Sequence, residues 1–215
     1  MEKILYDQLS ICKIERALDI LNNNPEININ WTSSRNPRFT FLHVACIWDL
    51  SEVLPVLLSH PKIDVNAKSS NGSTPFWIAC MNGSTDCVKL LLKDERVDMK
   101  ECNKADDSPF CAASAPFHTE TIQWYIASGR EIKQESVTEA IEVCLRNIEV
   151  FAGEEDGAKT DIIESGKQRE WRLKVMEEEF KETRLARQKH LDVLEAFKED
   201  PEKTRASVRK EIGWK

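Results

Sequence analysis

A hydrolytic or group-transfer site needs a nucleophile, a base within hydrogen-bond reach of it and a third group that orients the base. The chain has four histidines to offer as bases. His60 precedes Pro61 in a loop, His118 opens a helix and His190 lies on a highly charged helix, so all three read as solvated or capping side chains. The fourth, His43, belongs to a run, Thr40 to Ala45, that recurs along the chain. No glycine-rich phosphate loop is present. Cys80 and Cys87 are seven apart, and Cys102 and Cys111 nine apart. Neither spacing is CxxC or a tight ligand pair, so zinc is not expected. Cys46 and Cys80 stand at corresponding positions of the recurring run, where small apolar packing explains them better than redox chemistry. The run Glu177-Glu178-Glu179 reads as a solvated helix face. These residues predict a non-enzyme with no catalytic centre, metal or cofactor, which leaves recognition.

The chain as a whole agrees with that reading. Its 215 residues, 41% of them hydrophobic, are enough for one or two compact domains. A formal net charge of -7 argues against nucleic acid as a partner, because phosphate binders rely on clustered Lys and Arg to displace counterions. Met1 to Leu9 lacks the apolar stretch of a secretory signal, and no segment approaches the ~18 apolar residues of a membrane span. A cytoplasmic protein, or a nuclear one, is expected. The cysteines are odd in number, seven, and are read as free thiols of a reducing compartment.

The elements that must position any binding residues come from a repeat. Thr40-Phe41-Leu42-His43-Val44-Ala45, Thr74-Pro75-Phe76-Trp77-Ile78-Ala79 and Ser108-Pro109-Phe110-Cys111-Ala112-Ala113 start 34 residues apart. A second apolar cluster follows each start: Val53, Leu54, Leu57 and Leu58; then Val88, Leu91 and Leu92; then Ile122, Tyr125 and Ile126. Each unit therefore holds two short helices. Ile63 to Asn66 and Val97 to Lys100, followed by Asn71-Gly72 or Ala105-Asp106, read as extended arms meeting at a turn. Thr74 and Ser108 can cap helix starts, and Pro75 and Pro109 suit the first helical position, where a missing N–H costs nothing. Alanines 45, 79 and 113 let neighbouring units approach, and the paired leucines fill the space between layers. One unit cannot bury such a face alone, so the units must stack.

This pattern resembles the ankyrin repeat, over roughly Ile14 to Ile132, with the best match in Asn66 to Asp94. The resemblance implies an all-α solenoid of helix pairs joined by β-hairpin loops, and a protein-protein interaction scaffold. In the family's histidine slot, His43 is expected to bond neighbouring backbone and so tie repeats together. Three departures are visible: Phe41 replaces the usual proline, Trp77 the usual histidine, and Asp106 the turn glycine, which predicts a distorted last hairpin. The family binds partners on a concave wall of hairpin tips and exposed first-helix faces. Carried over, that wall comprises Asn36, Phe39, Ile47 and Trp48, then Ser70, Asn71, Ser73, Met81 and Asn82, then Lys104 and Asp107. Trp48 and Met81 are large apolar residues at slots where the repeat needs no core. Asn66 is also the type of asparagine that intracellular hydroxylases modify in related repeats.

Around the repeats, residues 1–35 read as N-terminal capping helices with a partial repeat, 36–132 as three matching units and 133–151 as a capping helix. Ser136 and Glu139 form its capping box. Glycines 153, 157 and 166 among acidic residues read as a mobile linker, 152–166. Residues 167–215 read as a long charged helix and a short one. No heptad is sustained, which favours a monomer, with the long helix packed on the stack or receiving a partner, over a coiled-coil oligomer. Val208, Ile212 and Trp214 have little left in sequence to pack against, which suggests a domain continuing in a longer parent. Two alternatives to a scaffold stay open: a regulatory segment of a larger enzyme or signalling protein, and a structural oligomer built through the C-terminal helix.

Overall fold

The computed structural model describes residues 1–34, 37–160 and 167–214, with backbone alone for 151–160 and 167–177. Among these residues the chain forms eleven helices and no strand, an all-α solenoid. Helices pair in layers: α1 (Glu2–Ser10) with α2 (Ile14–Asn23), α3 (Phe41–Ile47) with α4 (Leu54–Ser59), α5 (Pro75–Asn82) with α6 (Thr85–Leu91), and α7 (Pro109–Ser114) with α8 (Thr119–Ala127). Two long helices follow, α9 (Gln134–Thr160) and α10 (Lys167–Glu199), and then α11 (Pro201–Glu211). First helices stack in the order α1, α3, α5, α7, α9, and second helices α4, α6 and α8 run alongside.

The local chemistry of the repeat explains each helix. Thr40, Thr74 and Ser108 accept from the backbone N–H three residues on, at His43, Trp77 and Cys111, so each first helix has a side-chain cap. At the far ends, Asp49, Gly83 and Phe117 take left-handed φ of 50°, 65° and 60°. Only the middle one is a glycine, and a Cβ there would lie 2.5 Å from His118 Nδ1, so that ring would have to move to admit one. The turn series behaves alike, with Arg38 at 57°, Gly72 at 77° and Asp106 at 57°. The last hairpin is therefore not distorted, contrary to the expectation from its missing glycine. Asp106 adopts the glycine's conformation, as aspartate can, and Asn103 Oδ1 accepts from the N–H groups of Ala105 and Asp107 at 2.8 and 3.1 Å. The hairpin arms are tight turns rather than strands; an isolated antiparallel bridge, Thr32 with Thr40, marks the longer first loop.

The core runs continuously through the layers. Leu42, Phe76 and Phe110 occupy equivalent buried positions, and Tyr125 meets Phe76 and Phe110 edge-on at 5.4 and 5.2 Å. Asparagines clasp adjacent hairpins. Asn30 donates to Lys62 O at 2.7 Å and accepts from Asp64 N at 2.8 Å; Asn66 does the same with Arg96 O and Asp98 N at 2.7 and 2.8 Å. At the next layer this place is taken by Lys100, which pairs with Glu131 instead.

The C-terminal third departs from expectation in three ways. Helix α9 starts at Gln134, ahead of the proposed Ser136 cap, because the amide of Val137 already bonds Lys133 O at 3.3 Å. It also runs to Thr160, so Ala152–Thr160 is helix where a linker was expected. The acidic residues, alanines and Lys159 between Gly153 and Gly157 and beyond sustain it; the rest of the expected linker, 161–166, lies outside the described residues. Finally, α11 is not left without a place to pack. Asp200 caps it by accepting from Lys203 N at 3.0 Å, and it lies against α8 with Val208 buried and Trp214 ring-to-ring with Trp124 at 5.0 Å. Arg205 and Arg209 donate to the carbonyls of Ile126 and Ala127 at 3.2 and 2.7 Å, satisfying the free end of α8. Leu191, Leu194 and Phe197 of α10 enter the core, Phe197 beside Phe110.

Candidate protein-binding face

His43 carries the junction between the first two complete layers. It is fully buried; the Thr40 amide donates to its Nδ1 at 3.2 Å, which fixes the proton on Nε2, and Nε2 donates to Ser73 O at 3.0 Å. Burial holds its pKa down to about 4, so the ring is neutral near pH 7. One layer on, Trp77 replaces the histidine and keeps the bond: its indole N–H donates to Asp107 O at 3.0 Å. These side chains brace the hairpin tips that flank the expected wall.

The wall residues then separate. Trp48 is 54% exposed and Met81 43%, each at the solvent side of a first-helix end. Asn71, Asn82 and Lys104 are exposed; Phe39, Ile47, Ser70 and Asp107 are half-buried. Phe39 stacks on the His43 ring at 5.3 Å, and Ile47 packs on the core. Asn82 donates back to Ile78 O at 2.9 Å, and Ser70 N donates to Pro37 O at 2.7 Å, linking one hairpin tip to the next as Lys104 N does with Asn71 O at 2.9 Å. Ser73 is withdrawn from the wall: it is 3% exposed, because its carbonyl must turn inward to meet His43. Asn36 lies outside the described residues. Asn66 is engaged through both atoms of its side-chain amide.

The titratable side chains elsewhere are structural. His60 Nδ1 accepts from Lys62 N at 3.2 Å within its loop, and His118 bonds Met81 O at 3.2 Å, its pKa lowered by burial. His190, expected on a solvated face, is instead fully buried against α8, with Nδ1 3.0 Å from Thr119 Oγ1 and the ring edge-on to Phe117 at 5.6 Å. Burial, then the neighbouring His118, hold its pKa down to about 4. The sequence signal was weak: His190 stands directly beside Leu191, in the register that Leu194 and Phe197 continue. Burial pushes the thiols of Cys111 and Cys144 up to about 12 and raises that of Cys80 well above its ordinary value, while Cys87 is raised first by its hydrogen bond with Cys46 and then by burial. Such thiols are poor nucleophiles. Among the described residues no group of three or more His, Cys, Asp or Glu is placed to hold a metal ion, and no helix is long and apolar enough to cross a membrane.

What this geometry offers is a row of hairpin tips tied from layer to layer. The family model for ankyrin repeats, in three copies, matches residues 42–136. The human SMC5-SMC6 complex localization factor protein 1 is 48% identical over 54 residues, 25% of this chain and 5% of the relative. The human transient receptor potential cation channel subfamily A member 1 is 42% identical over 52 residues, 24% of this chain and 5% of the channel. The cortactin-binding protein 2 of Ornithorhynchus anatinus is 42% identical over 55 residues, 26% and 3% respectively. The chain thus spans only a small fraction of the length of these relatives. Three layered helix pairs with capped starts, left-handed ends and a histidine tie, matched by the family model over the same stretch, make residues 42–136 of this chain ankyrin repeats.

Proposed function

We propose that this chain is an interaction scaffold that holds a protein partner on its concave face, with Trp48 and Met81 as apolar anchors and Asn71, Asn82 and Lys104 as polar surroundings. Ankyrin repeats generally mediate protein-protein interaction. The observation that carries the reading for these residues is the exposure of Trp48 and Met81 at ends of stacked helices that the core does not need. Aromatic and methionine side chains set among polar groups are the usual composition of an interface centre. The family relatives differ widely in what their names describe, a localisation factor, a cation channel and a cortactin-binding protein, so the partner is set by surface residues and not by the fold. The proposed compartment is the cytoplasm or nucleus, and the proposed form a monomer. Capture of partners from lysate by the wild type and by a Trp48→Ala, Met81→Ala double variant tests this. The variant is expected to lose at least about tenfold in captured partner, with a melting temperature close to wild type; a large fall in melting temperature with unchanged capture would count against it.

A further inference from the structure

We infer that the hairpin tips form a basic cradle that receives an acidic polypeptide segment. The inference rests on the scaffold reading and names the chemistry of the partner. Arg38 and Thr32 of the first hairpin, Lys68, Ser69 and Ser70 of the second and Lys104 of the third line one open cavity of about 430 Å³. Among the described residues no carboxylate lines it, although the chain as a whole carries a net charge of -7. Of its three cations Lys68 alone is paired, with Glu101; Arg38 and Lys104 have no ion-pair partner among the described residues. The tips are held in register: Ser70 N bonds Pro37 O, Lys104 N bonds Asn71 O, and a Cβ on Gly72 would meet Lys104 Cγ at 3.0 Å, so the Lys104 stem lies along the neighbouring turn. The cations therefore belong to a braced surface rather than to loose loops.

Spacing favours a polypeptide over a compact anion. Layers of packed helices stand about 8–10 Å apart, so Arg38, Lys68 and Lys104 come from three successive layers and form a row. A chain in the polyproline II conformation has three residues per turn and advances about 3.1 Å per residue, so acidic residues three apart along it stay on one face and would meet one layer each. Arginine can bind a carboxylate through two parallel bonds, and the hydroxyls of Thr32 and Ser70 supply further donors.

The test uses the full chain and a fluorescein-labelled peptide of about 14 residues with glutamate at every third position among serine and glycine, beside a counterpart with glutamine in place of glutamate. Fluorescence anisotropy is expected to give the glutamate peptide an affinity at least about fivefold higher. That preference should weaken as salt is added. Arg38→Glu with Lys104→Glu should abolish it, and the milder Arg38→Gln with Lys104→Gln should reduce it, both with wild-type thermal melts. Equal affinity for the two peptides, no binding of the glutamate peptide, indifference to the charge variants, or a preference for pyrophosphate or phosphatidylserine vesicles over the peptide would each overturn the inference. The Trp48→Ala, Met81→Ala variant separates it from the reading beneath it. That variant should bind the glutamate peptide like wild type, since the probe has no apolar side chain. If the probe fails while partner capture still depends on Trp48 and Met81, the cradle is refuted and the scaffold stands; loss of the Trp48 and Met81 dependence alone refutes those anchors.

Discussion

His43 and His190 make stability depend on pH in a defined window. Both are buried and neutral, with folded values of about 4 against an ordinary 6.5. As pH falls, the unfolded chain takes up protons near 6.5 while the folded chain does not, so stability is complete above that value and declines down to about 4. Each site can contribute up to roughly 3 kcal/mol over the window. Asp94 and Glu211, held low by Arg96 and Lys189 respectively, contribute stability that is lost as pH falls below their ordinary carboxylate values. Urea melts at a series of pH values should show a midpoint that falls between pH 6.5 and 4, and His190→Gln should flatten part of that slope; a flat wild-type profile would contradict the assignment. The tie made by His43 was legible in the sequence because its slot in the repeat fixes its neighbours. The role of His190 was not, because the surface that buries it comes from α8, some 70 residues earlier in the chain.

At the scale of the element, the repeat was readable wherever a residue does a local backbone job. Caps, first-turn prolines and small first-helix residues act within a few positions, so their types and spacing disclose them. The last turn was misjudged because the left-handed conformation of Asp106 is supported by a side chain, that of Asn103, and not by the absence of a Cβ. Asp106→Gly should then raise stability modestly, by up to about 1 kcal/mol, measurable as a higher denaturation midpoint with an unchanged slope. Leu91 of α6 is fully buried in the shared interior. Leu91→Ala should cost about 2 to 5 kcal/mol, and calorimetry should show it as one cooperative loss, since neighbouring layers share the core.

At the scale of the molecule, the C-terminal helices complete the stack. Helix α9 covers the open face of α7, and α10 and α11 close over α8. That arrangement could not be read in advance: Arg205 and Arg209 look like ordinary surface charges until the carbonyls of Ile126 and Ala127 are seen to need donors. Arg209→Ala should cost about 1.5 to 3 kcal/mol, the range for a charge-assisted bond at a helix end, and hydrogen exchange should quicken first in α8 and α11. The wall residues Trp48 and Met81 were legible as apolar types in slots without a core role, whereas the burial of Ser73 depends on a carbonyl whose direction no residue type reveals.

The clasps between hairpins bear on how the array responds to tension. Each joins only adjacent layers, so a pull along the long axis loads them in series and the weakest yields first. Asn30 and Asn66 hold the following backbone through two neutral bonds apiece, whereas Lys100 reaches Glu131 through an exposed pair. Added electrolyte screens an exposed pair and leaves amide bonds nearly untouched. The Lys100 clasp should thus loosen selectively in brine, making the far end of this molecular spring the more compliant one.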